Sequence, residues 1–218
     1  MSKITVENFT KTIKHNTVLD NINITFESGK IYGLVGINGS GKTMLLRAIS
    51  GLIAGTSGFV TVDGVRVGNG KHPRNVGLLI ENADLWPYLS AYECLDILNT
   101  MSEKKITKDE IKALISEFDL DPESKKPFKA FSLGMKQKLR LAQVFMSDPD
   151  LIILDEPTNA LDEGSIERLR ERILNERAKG KTILLASHSG EDVRLLCDEI
   201  IYMNEGKITG REIIEKNE

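Results

Sequence analysis

Eight consecutive residues, Gly36-Ile37-Asn38-Gly39-Ser40-Gly41-Lys42-Thr43, fit the spacing G-x-x-x-x-G-K-[ST]. Each residue type there suits one task in holding a run of phosphates. Gly36, Gly39 and Gly41 permit positive φ and close backbone approach, so the amides of the loop, those of Asn38 and Ser40 included, can wrap phosphate oxygens. Lys42 reaches the β and γ oxygens, the Thr43 hydroxyl can ligate Mg²⁺, and the start of a following helix adds positive potential. A second chemical signal is Leu151-Ile152-Ile153-Leu154-Asp155-Glu156, an apolar run that ends in two carboxylates. A buried parallel strand of this kind delivers both acids to the carboxyl edge of its sheet, where open α/β folds bind ligands. In that place Asp155 would hold Mg²⁺, directly or through water, and Glu156 would polarise an attacking water.

The loop has to be set between a strand and a helix, and the flanking sequence supplies both. Ile31-Tyr32-Gly33-Leu34-Val35 is a compact apolar run before it, and residues 42–50 carry helix formers closed by Gly51. The rest of the first third reads as short strands. Ile22, Ile24 and Phe26 alternate with polar residues, Ser28-Gly29 is a turn, and Phe59-Val60-Thr61-Val62 ends at the hairpin signal Asp63-Gly64. Near residue 82 the period changes: Leu89, Tyr92, Leu95 and Leu98 mark one helix, Ile111, Leu114, Ile115 and Phe118 a second, and Pro122 and Pro127 close the pair. A third helix from Ser132 to about Met146 follows. Beyond the Leu151–Leu154 strand, the 163–179 segment places Ile166, Leu169, Ile173 and Leu174 on one helix face and stops at Gly180. A strand at Thr182–Ala186, a short helix at Glu191–Cys197 and a strand pair turning around Asn204-Glu205-Gly206 complete the chain. Strands alternating with helices imply an α/β domain with a largely parallel sheet.

Composition narrows the function classes. With 218 residues, 40% hydrophobic, and 18 glycines, the chain can bury a sizeable core as one large domain, which excludes extended disorder. Its 29 Lys and Arg against 32 Asp and Glu leave a net charge of −3, so there is no global basic field for nucleic acid. The longest aliphatic stretches, Leu151–Leu154 and Ile183–Ala186, fall far short of the ~20 residues that cross a bilayer. The stretch from Met1 to Asn8 contains an acid and no apolar core, so no signal peptide is expected. Cys94 and Cys197, far apart and without a C-x-x-C spacing, fit a reduced cytosol.

In order along the chain, the loop at 36–43, Phe131-Ser132-Leu133-Gly134-Met135-Lys136-Gln137, the acids at 151–156, Asn159-Ala160-Leu161-Asp162 and Ser187-His188 resemble the motifs of ATP-binding subunits of ABC transporters. The likeness runs from about Val6 to Ile208. The Phe-Ser-Leu-Gly-Met-Lys-Gln form and Ile80-Glu81-Asn82 look most like subunits that export bacitracin-type or lantibiotic-type peptides. The resemblance implies a P-loop NTPase fold of ABC type, one domain over 1–218. Its mostly parallel sheet would be joined by an antiparallel β part, with a helical subdomain at about 82–147 inserted in a RecA-like core. It implies ATP hydrolysis with Mg²⁺ that drives a separate transmembrane permease, which would hold the chain at the inner face of the cell membrane. It also implies a head-to-tail pair of such subunits, identical or not, with two ATP molecules between them.

Carried over residue by residue, the resemblance places Ser132 and Gly134 against the γ-phosphate bound to the partner's loop, although Ser132 also reads as a helix N-cap. His188 would contact the γ-phosphate or the water. Asp162 resembles the D-loop aspartate at the interface, and equally reads as an N-cap. Asp84-Leu85-Trp86-Pro87-Tyr88 would form part of the groove for the membrane subunit. Three departures stand out. Ile13 occupies the usual place of an adenine-stacking aromatic, with His15 as a possible substitute. Leu133 and Met135 replace a signature glycine and glutamine. Glu81 replaces the Q-loop glutamine, as in the lantibiotic-immunity group, and as a carboxylate it would ligate Mg²⁺ and take part in catalysis. A soluble ABC-type ATPase of an assembly scaffold is the alternative. A P-loop kinase or GTPase is disfavoured by Ser132–Gly134 and His188, and the lack of a coiled-coil insertion excludes long DNA-repair ATPases.

Overall fold

The computed structural model describes residues 2–80, 84–188 and 190–215; Glu81 and the 82–83 pair beside it lie outside them. Five strands run parallel in one sheet: β3 (Ile31–Val35), β6 (Val76–Leu79), β7 (Leu151–Asp155), β8 (Thr182–Ala186) and β9 (Glu199–Asn204). β10 (Lys207–Ile213) adds an antiparallel edge, giving the order β10-β9-β3-β8-β7-β6. The second sheet is wholly antiparallel, in the order β2-β1-β4-β5, from β1 (Ile4–Ile13), β2 (Asn16–Phe26), β4 (Ser57–Val62) and β5 (Val65–Val67).

Why the central strands are continuous apolar runs is visible in their packing. Leu151 and Ile153 of β7, with Leu184 and Ala186 of β8, face a core shared with the second sheet and with α1 (Lys42–Ile49). Ile152 and Leu154, with Ile183 and Leu185, face the opposite core, made by the remaining helices. Both faces are covered, so alternation with polar residues disappears.

The antiparallel strands are longer than expected: β1 has 10 residues and β2 has 11, where the sequence pattern suggests short pieces. Their pairing is interrupted by register shifts, and Asn8 and Asn21 sit there with φ of 46° and 49°. Such bulges break the period of two that a sequence pattern relies on.

Between β6 and β7 the described residues form α2 (Ala91–Met101), α3 (Lys108–Glu117), a 3₁₀ turn at Phe128–Ala130 and α4 (Leu133–Phe145). Leu89 precedes α2 rather than opening it. Capping boxes start both of the first two helices, Ser90 with Glu93 and Thr107 with Glu110, each side chain taking up an amide that the first turn leaves unpaired.

In α5 (Glu163–Ala178) Leu169 and Ile173 are buried, Ile166 is half-buried, and Leu174 is exposed, contrary to the expected face. The fourth member of the inward stripe is Glu176, fully buried. Arg172 Nε donates to it at 3.0 Å and Lys179 Nζ at 2.8 Å, and Lys181 forms a close ion pair with it. Burial, the largest single influence, would raise its carboxyl, but the hydrogen bonds from Lys179 and Lys181 and the charges of Lys181 and Arg172 together hold it below the ordinary value. A depressed folded value means that this stabilisation is complete above the ordinary carboxylate range and fades as pH falls through it. Glu176→Ala is expected to cost about 1–3 kcal/mol, because charged donors lose their acceptor. A urea midpoint unchanged from the parent would contradict this.

Cys94 and Cys197 are both buried as thiols outside any disulfide, and burial pushes the Cys94 thiol up to about 11.

Candidate nucleotide site

Because β3, β7 and β8 are parallel, their carboxyl ends open onto one edge, and the three sequence signals following them converge there. The loop 36–43 leaves β3, Asp155 and Glu156 end β7, and His188 follows β8. Asp155, Glu156 and His188 line one open groove of about 550 Å³ together with Asn38, Gly39, Ser40, Gly41, Lys42, Thr43 and Asn159, while Gly36 is not part of its lining.

The loop's shape needs its glycines at two points in particular. Gly41 caps α1 with φ of 106°, a left-handed conformation that side chains resist. Gly36 lies so close to its neighbours that a Cβ would stand 2.3 Å from the Met203 carbonyl oxygen. Lys42 folds back over the loop: its Nζ donates to the Gly36 carbonyl at 2.6 Å and lies 3.4 Å from that of Ile37. Ser40 is buried, and its hydroxyl has no hydrogen-bond partner among the described residues. A buried hydroxyl left without a partner in a glycine-rich loop suits a phosphate oxygen.

Thr43 Oγ1 donates to Asp155 Oδ2 at 2.7 Å, so the first turn of α1 and the end of β7 present two oxygens side by side. Glu156 takes φ of 48°, a conformation that costs a residue with a side chain about 1–2 kcal/mol. Its amide donates to the Ala186 carbonyl at 2.9 Å, which fixes the turn. The Glu156 carboxylate then accepts from His188 twice, from Nδ1 at 2.7 Å and from the backbone amide at 3.3 Å. His188 is itself largely exposed and lines the groove, so one side chain both orients Glu156 and faces the open space.

Ser132, Gly134 and Asp162 are not part of this groove's lining. Ser132 caps α4, accepting from the Met135 amide at 3.2 Å. Asp162 caps α5: Ser165 donates to it from Oγ at 2.8 Å and from its amide at 2.9 Å, and these bonds hold its carboxyl down at about 2. The two caps are nevertheless tied together. A Cβ on Gly134 would stand 2.8 Å from the Ala160 carbonyl oxygen, Lys138 Nζ lies 3.3 Å from Asp162, and Gln137 Nε2 donates to the buried Pro157 carbonyl at 2.9 Å. The start of α4 is thus fastened to the segment that follows Glu156.

Ile13 and His15 do not line the groove. Asn16 and Val18, at the start of β2, line it instead, and no motif in the sequence marks them. Trp86 and Tyr88 are exposed, Tyr88 at 75%, with Lys129 Nζ 4.3 Å from the centre of its ring.

Residues 19–159 match the family model described as ABC transporter. The chain is 46% identical over 218 residues to YybJ of Bacillus subtilis (strain 168), described as an uncharacterized ABC transporter ATP-binding protein, with 99% of each chain covered. It is 38% identical over 211 residues to SrtF of Streptococcus pyogenes, a lantibiotic transport ATP-binding protein, covering 97% of this chain and 89% of the relative. Its fold is that of the ATP-binding cassette MJ0796, solved as a dimer in a post-hydrolysis state bound to ADP and Pi, with a TM-score of 0.88 and 22% identity over 98% of this chain and all of that one. The chain therefore belongs to the ABC transporter family, as one of its ATP-binding and ATP-hydrolysing subunits. None of its described helices is long and apolar enough to cross a membrane.

Proposed function

We propose that the chain hydrolyses ATP as a head-to-tail pair of its own copies and drives export of a peptide antibiotic through a separate membrane-spanning subunit. The observation that carries this reading is a division of labour. One groove gathers Lys42, the Thr43–Asp155 pair and the Glu156–His188 pair, while Ser132, Gly134 and Asp162 stand outside it on a shared, internally braced segment. A second copy would bring that segment to the phosphates, completing the site.

In this reading Lys42 leaves the Gly36 carbonyl for the β and γ oxygens, the amides of 38–43 hold the remaining phosphate charge, and Glu156 takes up the proton of the attacking water. His188 holds Glu156 in place and meets the γ-phosphate. Thr43 and Asp155 would hold Mg²⁺, which neutralises phosphate charge when bound. The adjacent Thr43 and Asp155 oxygens suit an ion bound by one or two protein oxygens plus the substrate's own phosphates. Glu81 would add a carboxylate to the same edge and relay the state of the site. Glu81→Ala is expected to impair export more than ATP binding, and Glu81→Gln to keep substantial activity; normal export by Glu81→Ala would remove this role.

The domain reading is a single ATPase domain over 1–218 with a helical subdomain at about 82–147 in a RecA-like core. That subdomain, through 84–88, would dock the membrane subunit and hold the chain at the inner face of the cell membrane. The lantibiotic relative supports a peptide as cargo. Capture of the tagged chain from membranes of its native cell tests the assembly. A membrane-spanning subunit should accompany it; recovery with soluble proteins alone would favour a scaffold ATPase.

The base side of the groove offers Asn16 and Val18 and no aromatic ring. Base stacking on aromatic side chains is worth roughly 1–3 kcal/mol, so without it discrimination between purines should be weak. Calorimetric titration should place the affinities for ATP and GTP within about tenfold, a difference of ~1.4 kcal/mol. A hundredfold preference for ATP would contradict this.

A further inference from the structure

The turn that joins β9 to β10 does more than reverse the chain. Glu205 and Gly206 have φ of 47° and 74°, the pattern of a two-residue type I′ loop. The Gly206 amide donates to the carbonyl of Ser40 inside the phosphate loop at 2.9 Å, and the Gly206 carbonyl accepts from the Asp20 amide of β2 at 2.9 Å. Contact with the loop is close elsewhere too. A Cβ on Gly41 would stand 3.2 Å from the Gly206 Cα, and the Gly36 site abuts the Met203 carbonyl at the end of β9. A Cβ on Gly206 itself would stand 2.7 Å from the Val18 carbonyl oxygen, a backbone atom that cannot swing aside.

None of this is required to close a hairpin. The β4–β5 turn, Asp63-Gly64, has the same conformation, with φ of 52° and 75°, and a Cβ on Gly64 would meet nothing within 4 Å. We infer that the β9–β10 turn is a clamp that holds the phosphate loop in its nucleotide-binding shape, with Gly206 as the positioning residue. By wedging between Ser40 and β2, the turn fixes the depth of the loop against the β2 edge that carries Val18. The inference rests on residues 36–43 being the phosphate-holding loop.

The two glycines give a matched test. Alanine at either position suffers the same left-handed strain, and at Gly206 it also meets the Val18 carbonyl, so both variants should lose thermal stability without nucleotide, Gly206→Ala the more. Only Gly206→Ala should also lose affinity for ATP, by about tenfold or more, since misplacing a binding element by about 1 Å is costly. The measurement is the dissociation constant for ATP of the isolated chain, alongside the melting midpoint without nucleotide. Unchanged affinity in Gly206→Ala, or an equal loss in both variants, would overturn the clamp while leaving the loop assignment intact. A parent protein that does not bind ATP would overturn the loop assignment and the clamp with it. Should Gly206→Ala not fold, amide hydrogen exchange on the parent decides. ATP is expected to slow exchange at Gly206 and leave Gly64 unaffected, and an unchanged Gly206 would overturn the inference.

Discussion

Lys42→Ala is expected to lower ATP affinity by about 10- to 100-fold, the equivalent of losing one charge-assisted contact worth ~1.5–3 kcal/mol. Lys42 stands at the floor of the groove, buried, with its ammonium held against the carbonyls of its own loop. Those bonds keep the charge in place until a better acceptor arrives, and the β and γ oxygens are stronger acceptors than a peptide carbonyl. The groove's other ionisable groups are Asp155, Glu156 and His188, so the lysine is the lone permanent cation among its described lining residues. Removing it leaves two carboxylates facing a polyphosphate. Hydrolysis should fall further than binding, by about 10²–10³-fold, the usual cost of deleting one donor to developing transition-state charge. The variant should fold, since alanine is a good helix former at the first position of α1 and strands no buried charge partner. Turnover equal to the parent would refute the phosphate-loop assignment.

Much of this groove is legible in the amino-acid sequence, and the reason is chemical. Gly36, Gly41, Lys42 and Thr43 are fixed in type and spacing by the phosphates they serve, and Asp155-Glu156 by the strand end that delivers them. The pairing of Thr43 with Asp155 follows from strand order, which the alternation of strands and helices allows but does not specify. Asn16 and Val18 carry no such signal because nothing in their chemistry is special; they reach the groove only through the fit of β2 against the loop and the Gly206 turn. Asparagine bulges in β1 and β2 hide two long strands.

Leu174 and Glu176 show a different failure. Hydrophobicity alone places Leu174 inside, yet Leu169, Ile173 and Glu176 follow the helical spacing of three and four, and one residue beyond Ile173 already turns about 100° away. Glu176 is buried because three cations, two of them beyond the last residue of the helix, compensate it. The capping residues Ser90 and Thr107 are readable from S-x-x-E and T-x-x-E, a signal weaker than the apolar period that surrounds it.

Glu156→Gln should separate binding from chemistry. The amide keeps the length of the side chain and an oxygen to accept from His188 Nδ1 and from its backbone amide, so the strained turn at φ of 48° and the geometry of the groove persist. What disappears is the carboxylate that takes the proton, and loss of a general base costs about 10²–10⁴-fold. ATP should therefore bind and stay intact. If each groove is completed by Ser132 and Gly134 of a second copy, unhydrolysed ATP is the adhesive that holds the copies together, and the paired state should accumulate.

The most direct measurement is light scattering on Glu156→Gln after size exclusion, with and without ATP and Mg²⁺, combined with the nucleotide content of each peak. Twice the mass of one chain in the presence of ATP, with one nucleotide per chain, and a single-chain mass without it are the predicted results. A single-chain mass with ATP bound would contradict the shared site.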